Sequence, residues 1–170
     1  MKKGVVTVAA LLAVVLLVAC GPKMTEEQMY AQVLDFQDKE QWEDMVKTYE
    51  DLVKTYPESE KADEHIYELG MAYAHNVKKF HKAIETWESL IETYPESRLI
   101  TNTKFMIGYC YANDIKDLDK AREAYQKFLD EYPEHELATS VEWELNHLGQ
   151  DISEIDLQLG EEAEVEQVSN

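Results

Sequence analysis

Apolar side chains recur at helical spacing in three successive stretches of the chain, and each stretch ends in nearly the same polar motif of seven residues. The three copies share a Tyr-Pro-Glu core and lie at 54–60 (KTYPESE), 92–98 (ETYPESR) and 130–136 (DEYPEHE). Their prolines are spaced by 38 residues in both intervals. A fixed period in this range is typical of a repeat array in which every unit is one supersecondary element.

Each Tyr-Pro-Glu marks the end of a helix. Proline lacks an N–H and clashes with the preceding turn, and the residue before it is pushed out of the helical region. A period of 38 residues holds two helices of about 14 residues with short connections, which is an ordinary helix length. Two helix starts are also visible, because Thr25–Gln28 has the pattern of a capping box and Asp117 that of an N-cap.

The repeats resemble the tetratricopeptide repeat, a helix–turn–helix unit. The second carries Leu69-Gly70-x-x-Tyr73 followed by Phe80-x-x-Ala83 and Trp87, and the third carries Ile107-Gly108-x-x-Tyr111, Leu118-x-x-Ala121 and Tyr125. The family unit has 34 residues, so we expect one extra residue between the two helices of a repeat and three more between repeats. The first repeat is looser, with Val33 and Met45 where the glycine and alanine stand in the others.

The resemblance implies an all-α fold, a tetratricopeptide-repeat solenoid of three helix–turn–helix repeats plus a C-terminal solvating helix. The expected repeats lie at about 25–59, 60–97 and 98–135, and the capping helix at 136–149. Gly70 and Gly108 lack a side chain, so the second helix of each repeat is expected to approach closely. We expect Trp87 and Tyr125 to lie in the core, because they fall on the apolar stripe of that second helix.

The N-terminus has the pattern of a bacterial lipoprotein signal. Lys2 and Lys3 precede an apolar run at 5–19, which is too short for a comfortable membrane span. The run ends in Leu-Val-Ala-Cys-Gly, which resembles a lipobox and implies cleavage after residue 19 and a diacylglycerol on Cys20. The alternative is an uncleaved anchor helix. Gly21 rather than aspartate after the cysteine implies sorting to the outer membrane, and 20–24 would form a short tether.

Charge excludes some partners. The chain carries 16 basic and 35 acidic residues, a net charge of −19, which argues against nucleic acid and against docking flat on anionic lipid. The segment 150–170 is expected to be an acidic, mostly disordered tail. Cys110 lies in an apolar stretch, where a small buried hydrophobe is expected rather than a nucleophile.

The resemblance also implies a binding groove, because first helices line the concave face in this family. Its expected lining consists of two rows of side chains, Tyr30, Tyr67, Phe105 and Trp143 in one and Leu34, Met71, Tyr109 and His147 in the other. Aromatic and methionine side chains suit irregular partners. The alternative is that these residues only fill the seams between neighbouring first helices.

Taken together, the chain resembles the BamD-like lipoproteins of outer-membrane protein assembly. That resemblance implies a non-catalytic, periplasm-facing scaffold, anchored by lipid, that binds envelope proteins or peptide segments, neutral or basic rather than acidic. The alternative function is a solute- or glycan-binding lipoprotein whose aromatic row stacks on sugars. No phosphate-binding loop or metal-ligating histidine pair is present in the sequence, and we expect no metal, cofactor or catalytic residue.

Overall fold

A computed structural model describes residues 23–150. Within that range the chain forms seven α-helices, arranged as three successive pairs and one further helix. They are α1 Glu26–Asp38, α2 Trp42–Thr55, α3 Ala62–Met71, α4 Phe80–Thr93, α5 Ile100–Tyr109, α6 Leu118–Glu131 and α7 Ala138–Asn146. Each helix packs against the next one along the chain. The expected all-α, tetratricopeptide-like fold is confirmed.

The glycines allow the close crossing that the sequence predicts. A Cβ added at Gly70 would lie 2.5 Å from Cδ1 of Trp87, and one added at Gly108 would lie 2.6 Å from Cε1 of Tyr125. Both rings are 0% exposed, so the space left by each missing side chain is filled by an aromatic ring of the partner helix. Val33, which replaces glycine in the first repeat, is also buried.

The predicted helix starts and ends are confirmed. The Thr25 side chain and Gln28 form a reciprocal capping box at the start of α1, and Asp117 accepts a hydrogen bond from the backbone N–H of Lys120. The helices α2, α4 and α6 end one residue before the tyrosine of each Tyr-Pro-Glu.

The extra residue within the second and third repeats is accommodated by a π-helical turn. Ala72–Asn76 extends α3 and Cys110–Ile115 extends α5. The ends of these turns are closed by backbone hydrogen bonds that span more residues than the four of an α-helix. Val77 N donates to Ala72 O at 3.3 Å and Asp117 N donates to Tyr111 O at 2.9 Å. A π-helical turn inserts one residue without breaking the helix, so the second helix still reaches its packing position.

Residues of the Tyr-Pro-Glu motif also form hydrogen bonds between neighbouring repeats, which the sequence did not predict. The Tyr56 hydroxyl donates to Met24 O and the Tyr94 hydroxyl to Pro57 O, both at 2.5 Å. Two residues beyond each proline, Ser59 bonds to Glu26 and Ser97 to Asp63. These residues therefore join the ends of the helices to the preceding unit as well as terminating them.

The third copy of the Tyr-Pro-Glu motif has histidine two residues beyond its proline, where the first two copies have serine. Ser59 and Ser97 each accept a hydrogen bond from the backbone N–H two residues on, and His135 does the same through Nδ1, from Leu137 N at 3.2 Å. The turn is therefore conserved in shape although its side chain differs. The helices that follow the three copies begin in the same register, at Ala62, Ile100 and Ala138, so α7 begins two residues later than the expected 136.

Candidate functional site

The first row of predicted groove residues is exposed at its ends and half-buried in its middle. Tyr30 on α1 is 39% exposed and Trp143 on α7 is 47% exposed. Tyr67 is half-buried against the cores of the first two repeats. Phe105 is half-buried and stacks on Tyr125 with ring centroids 6.4 Å apart. Among residues 23–150, the two end helices each have a neighbouring first helix on one side only, which accounts for the greater exposure of their aromatic rings.

Exposure also varies along the second row, which is exposed at its first member only. Leu34 is 44% exposed, whereas Met71, Tyr109 and His147 are half-buried. His147 stacks on Trp143 with ring centroids 4.5 Å apart and donates from Nδ1 to Trp143 O at 2.7 Å. This hydrogen bond holds the exposed indole and the imidazole together as one aromatic surface.

A cleft of about 790 Å³ opens between α1 and α3. Members of both rows, Tyr30, Leu34 and Tyr67, line it together with charged side chains. The charged lining is mostly acidic and consists of Glu26, Glu27, Glu60, Glu64 and Glu68, with Lys61 and Arg98 as the cations and His65 beside them. The cleft thus combines aromatic and aliphatic contact area with an excess of carboxylates.

Two carboxylates of this cleft already have partners in the fold. Glu26 Oε1 accepts from the Ser59 hydroxyl at 2.6 Å and lies 2.9 Å from His65 Nε2. The hydrogen bonds that Glu26 accepts from Ser59 and His65 hold the pKa of its carboxyl below its usual value. Glu64 forms an ion pair with Arg98. These groups contribute to the packing of the repeats and offer little to a ligand.

Glu68 and Glu144 differ from those acids. Neither carboxylate makes a hydrogen bond or ion pair with another residue in the range 23–150. Loss of hydration raises the pKa of Glu68, and the charge of Glu64 adds to the effect. Loss of hydration also raises the pKa of Glu144, against the opposing influence of His147. Glu68 is exposed and Glu144 is half-buried, and neither carboxylate has an ion pair among residues 23–150.

A pH-dependent stabilisation should follow from Glu68→Gln. Since the folded-state pKa of Glu68 is raised, its ionisation disfavours the fold. This penalty begins as the pH rises past the ordinary pKa of the unfolded state and is complete above the folded-state pKa. The side chain remains partly exposed, so solvent screening keeps the effect small. We expect the melting midpoint to rise by roughly 1–2 °C at pH 7 and to be unchanged below about pH 3, where the carboxyl is neutral in both states.

The control for this experiment is Glu85→Gln, which removes the same charge from an exposed position of α4. Thermal melting of the three proteins at both pH values separates the local effect from the change in net charge. An equal rise in the control would mean that overall charge, rather than the environment of Glu68, is responsible.

Other candidate chemistry finds no support in the geometry. Cys110 is 1% exposed, and burial, together with Asp114, raises its pKa to about 12, so the thiol is a buried hydrophobe as expected. Among residues 23–150, no group of three or more histidine, cysteine, aspartate or glutamate side chains could hold a metal ion. The predicted signal peptide, Cys20 and the tail at 151–170 lie outside the described residues.

Sequence reasoning did not single out Glu68 and Glu144, although a signal was present. The two residues are separated by 76 positions, or two repeat lengths, and each directly follows a predicted groove aromatic. Their distinguishing property is the missing counter-charge, which only the folded arrangement reveals.

Comparison with known proteins places the chain in a family. A search of curated proteins gives no match. None of the helices between residues 23 and 150 has the length and apolar character needed to cross a bilayer. The model of the YfiO family, described as outer membrane lipoprotein, matches residues 22–161. This match confirms the envelope-lipoprotein resemblance and the outer-membrane location that the sequence predicts. The chain therefore belongs to the YfiO family of outer membrane lipoproteins.

Proposed function

We propose that this protein is a non-catalytic scaffold that faces the periplasm and holds extended segments of other envelope proteins in its groove. The observation that carries the proposal is the cleft of about 790 Å³ between α1 and α3, lined by Tyr30, Leu34 and Tyr67. Exposed aromatic rings provide large contact area at a low cost in side-chain entropy. The family, together with this surface, supports a role in outer-membrane protein assembly or in envelope maintenance.

The charge of the groove favours neutral or basic segments over acidic ones. Its cations are few, and Arg98 is already paired with Glu64. A partner carboxylate would meet like charges there, which is a strong penalty at an interface.

A photo-crosslinking experiment tests the groove. A photoreactive phenylalanine analogue placed at Tyr30 or Trp143 should crosslink to envelope proteins in cells, whereas the same analogue at Glu85, an exposed position of α4, should not. The expected result is a shared set of protein adducts, identified by mass spectrometry, from the two groove positions only. Equal adducts from Glu85, or glycan adducts in place of protein, would count against the scaffold and for the solute- or glycan-binding alternative.

We also propose that Cys20 carries the lipid that anchors the protein. Cys20→Ser should abolish incorporation of labelled palmitate and leave the precursor uncleaved, because the modified thiol is the substrate for processing in proteins with this motif. Two acyl chains suffice for stable anchoring, at about 0.8 kcal/mol per buried CH₂. Cys110→Ser is the matched control and should label normally, since Cys110 is buried in the fold. Labelling that persisted in the Cys20→Ser variant would show that the anchor lies elsewhere.

A further inference from the structure

The groove carries two similar carboxylate positions separated by an apolar one. Residues at the position after each groove aromatic on α3, α5 and α7 are Glu68, Met106 and Glu144. A tyrosine from the preceding repeat lies near each glutamate. Burial raises the pKa of Tyr49 and of Tyr125, and the charges of Glu68 and Glu144 respectively add to that rise. Trp87 holds the equivalent sequence position for Met106, and both belong to one apolar cluster, so the middle position of the three is apolar.

These two carboxylates lack the partners that other acids of the first helices have. Glu26 has hydrogen bonds to Ser59 and His65 and Glu64 forms an ion pair with Arg98, whereas neither Glu68 nor Glu144 has an ion pair among residues 23–150. A second group near Glu144 is also unsatisfied, because the buried Tyr125 hydroxyl has no hydrogen-bond partner. Glu144 is half-buried, and buried or half-buried polar groups usually have partners, so a ligand group near Glu144 would replace a missing interaction. Glu68 is exposed, so a ligand cation can reach its unpaired carboxylate directly.

Aromatic rings accompany both carboxylates. Glu68 shares the cleft with Tyr30 and Tyr67, and Glu144 lies near His147, which stacks on the 47% exposed indole of Trp143. A carboxylate beside an aromatic face is a favourable site for an ammonium or guanidinium group, because the charge pair and the cation–π attraction act on the same cation.

We propose that the groove binds an extended segment of a partner envelope protein through two basic side chains, one at Glu68 and the other at Glu144. This inference rests on the proposed scaffold function and adds the chemistry of the ligand. First helices of alternate repeats are about 20 Å apart if each step takes about 10 Å. An extended chain covers that distance in about six residues, so the two basic residues of the ligand should be spaced by about that number.

Charge complementarity decides between the available occupants. The protein's own tail at 151–170 contains seven acidic residues and no basic residue, so it would add like charge to the groove. A neutral glycan would leave both carboxylates without a counter-charge. An extended dibasic segment supplies a cation at each end and apolar contact to the middle.

The test uses the full-length lipoprotein in a neutral detergent and fluorescein-labelled synthetic peptides. The main probe alternates threonine and tyrosine and carries a lysine at each end, with the lysines about six residues apart. In the control peptide norleucine replaces both lysines, which keeps the aliphatic stems and removes the charges. Two further peptides carry a single lysine, at one end or the other.

Fluorescence anisotropy should show that Glu68→Gln and Glu144→Gln each weaken the dilysine peptide about tenfold, the effect of losing one partly desolvated charge pair. The matched controls Glu85→Gln and Glu142→Gln remove an exposed charge and should change affinity less than about twofold. Each single-lysine peptide should respond to only one of the two groove variants. The norleucine peptide should respond to neither.

Three outcomes would overturn the inference. If Glu142→Gln weakens binding as much as Glu144→Gln, the attraction is the general field of an acidic protein. If the norleucine peptide binds as tightly as the dilysine peptide, the carboxylates do not select cations, although the scaffold function stands as long as Tyr30→Ala and Trp143→Ala weaken binding. If neither peptide binds, the scaffold proposal fails for extended segments. The proposal that Glu68 and Glu144 bind basic side chains then fails with it.

Discussion

Replacing Gly70 by leucine should unfold the entire repeat array at a much lower temperature than the parent protein. An added Cβ would lie 2.5 Å from Cδ1 and 2.6 Å from Cε2 of Trp87, well inside van der Waals contact. The indole is 0% exposed and has no solvent-filled space into which to move. Overpacking of a close crossing costs about 3 kcal/mol or more in the free energy of unfolding, which corresponds to a fall in midpoint of roughly 10 °C.

The loss should be cooperative across the described array. One repeat cannot bury its apolar face alone, because neighbouring units supply the other half of the core. The largest buried cluster shows this directly, since it joins Val33 of the first repeat to Trp87 of the second and Cys110 of the third. Thermal circular dichroism should therefore show one transition, shifted as a whole, rather than the loss of one repeat's helicity.

A rescue variant identifies the contact responsible. Trp87→Leu alone should cost several kcal/mol, because it empties a buried site and removes the indole N–H that donates to Tyr67 O at 3.3 Å. In that background, Gly70→Ala should cost less than it does alone, since the methyl group no longer meets a ring. Asn102→Leu, which adds the same side chain at an exposed position of α5, should barely change the midpoint. An unchanged midpoint for Gly70→Leu would disprove the tight crossing.

The repeats, caps and close crossings could be predicted because each depends on local sequence. Proline ends a helix wherever it stands, Thr25 and Gln28 are three residues apart, and the Gly70 and Trp87 positions recur with the period of the array. Local sequence predicts structure best at residue types that occur in few other structural roles.

The π-helical turns could not be predicted in the same way. One additional residue between two helices can enter a loop or extend the helix, and the sequence alone gives no preference. In the folded chain, the buried side chains of Tyr73 and Cys110 hold the extended turns in the core. The long-range bonds of Tyr94 and Ser97 are similar, because their partners Pro57 and Asp63 become neighbours only after the repeats have stacked.

Groove and seam were alternatives in the sequence because every repeat places an aromatic residue at the same position. The exposure of each ring depends on how many neighbouring first helices flank it. Tyr67 and Phe105 lie on helices with a neighbour on both sides and are half-buried. Tyr30 and Trp143 lie on the end helices of the described array and are exposed. The burial of Tyr67 and Phe105 therefore favours the seam interpretation for the inner pair, and the exposure of Tyr30 and Trp143 makes the outer pair the proposed binding surface.

Two double variants should separate stability from binding along this row. Tyr67→Ala with Phe105→Ala removes the half-buried rings, and we expect a loss of about 3–4 kcal/mol in the free energy of unfolding, roughly half the cost for two fully buried aromatics. Tyr30→Ala with Trp143→Ala removes the exposed rings and should cost less than about 1 kcal/mol. Thermal melting measures both changes without knowledge of the partner.

Binding should depend more on the outer pair, Tyr30 and Trp143, than on the inner pair, Tyr67 and Phe105. If a segment docks on the exposed rings, each ring lost from the outer pair should weaken its binding by about 2 kcal/mol, the scale of an interface hot spot. The outer variant should then remain folded and fail to bind the dilysine probe, whereas the inner variant should bind poorly mainly because less of it is folded. Lowering the temperature should restore binding to the inner variant and leave the outer variant inactive. Early melting of the outer variant would show that Tyr30 and Trp143 stabilise the array. Normal probe affinity in a folded outer variant would remove the groove as the binding surface.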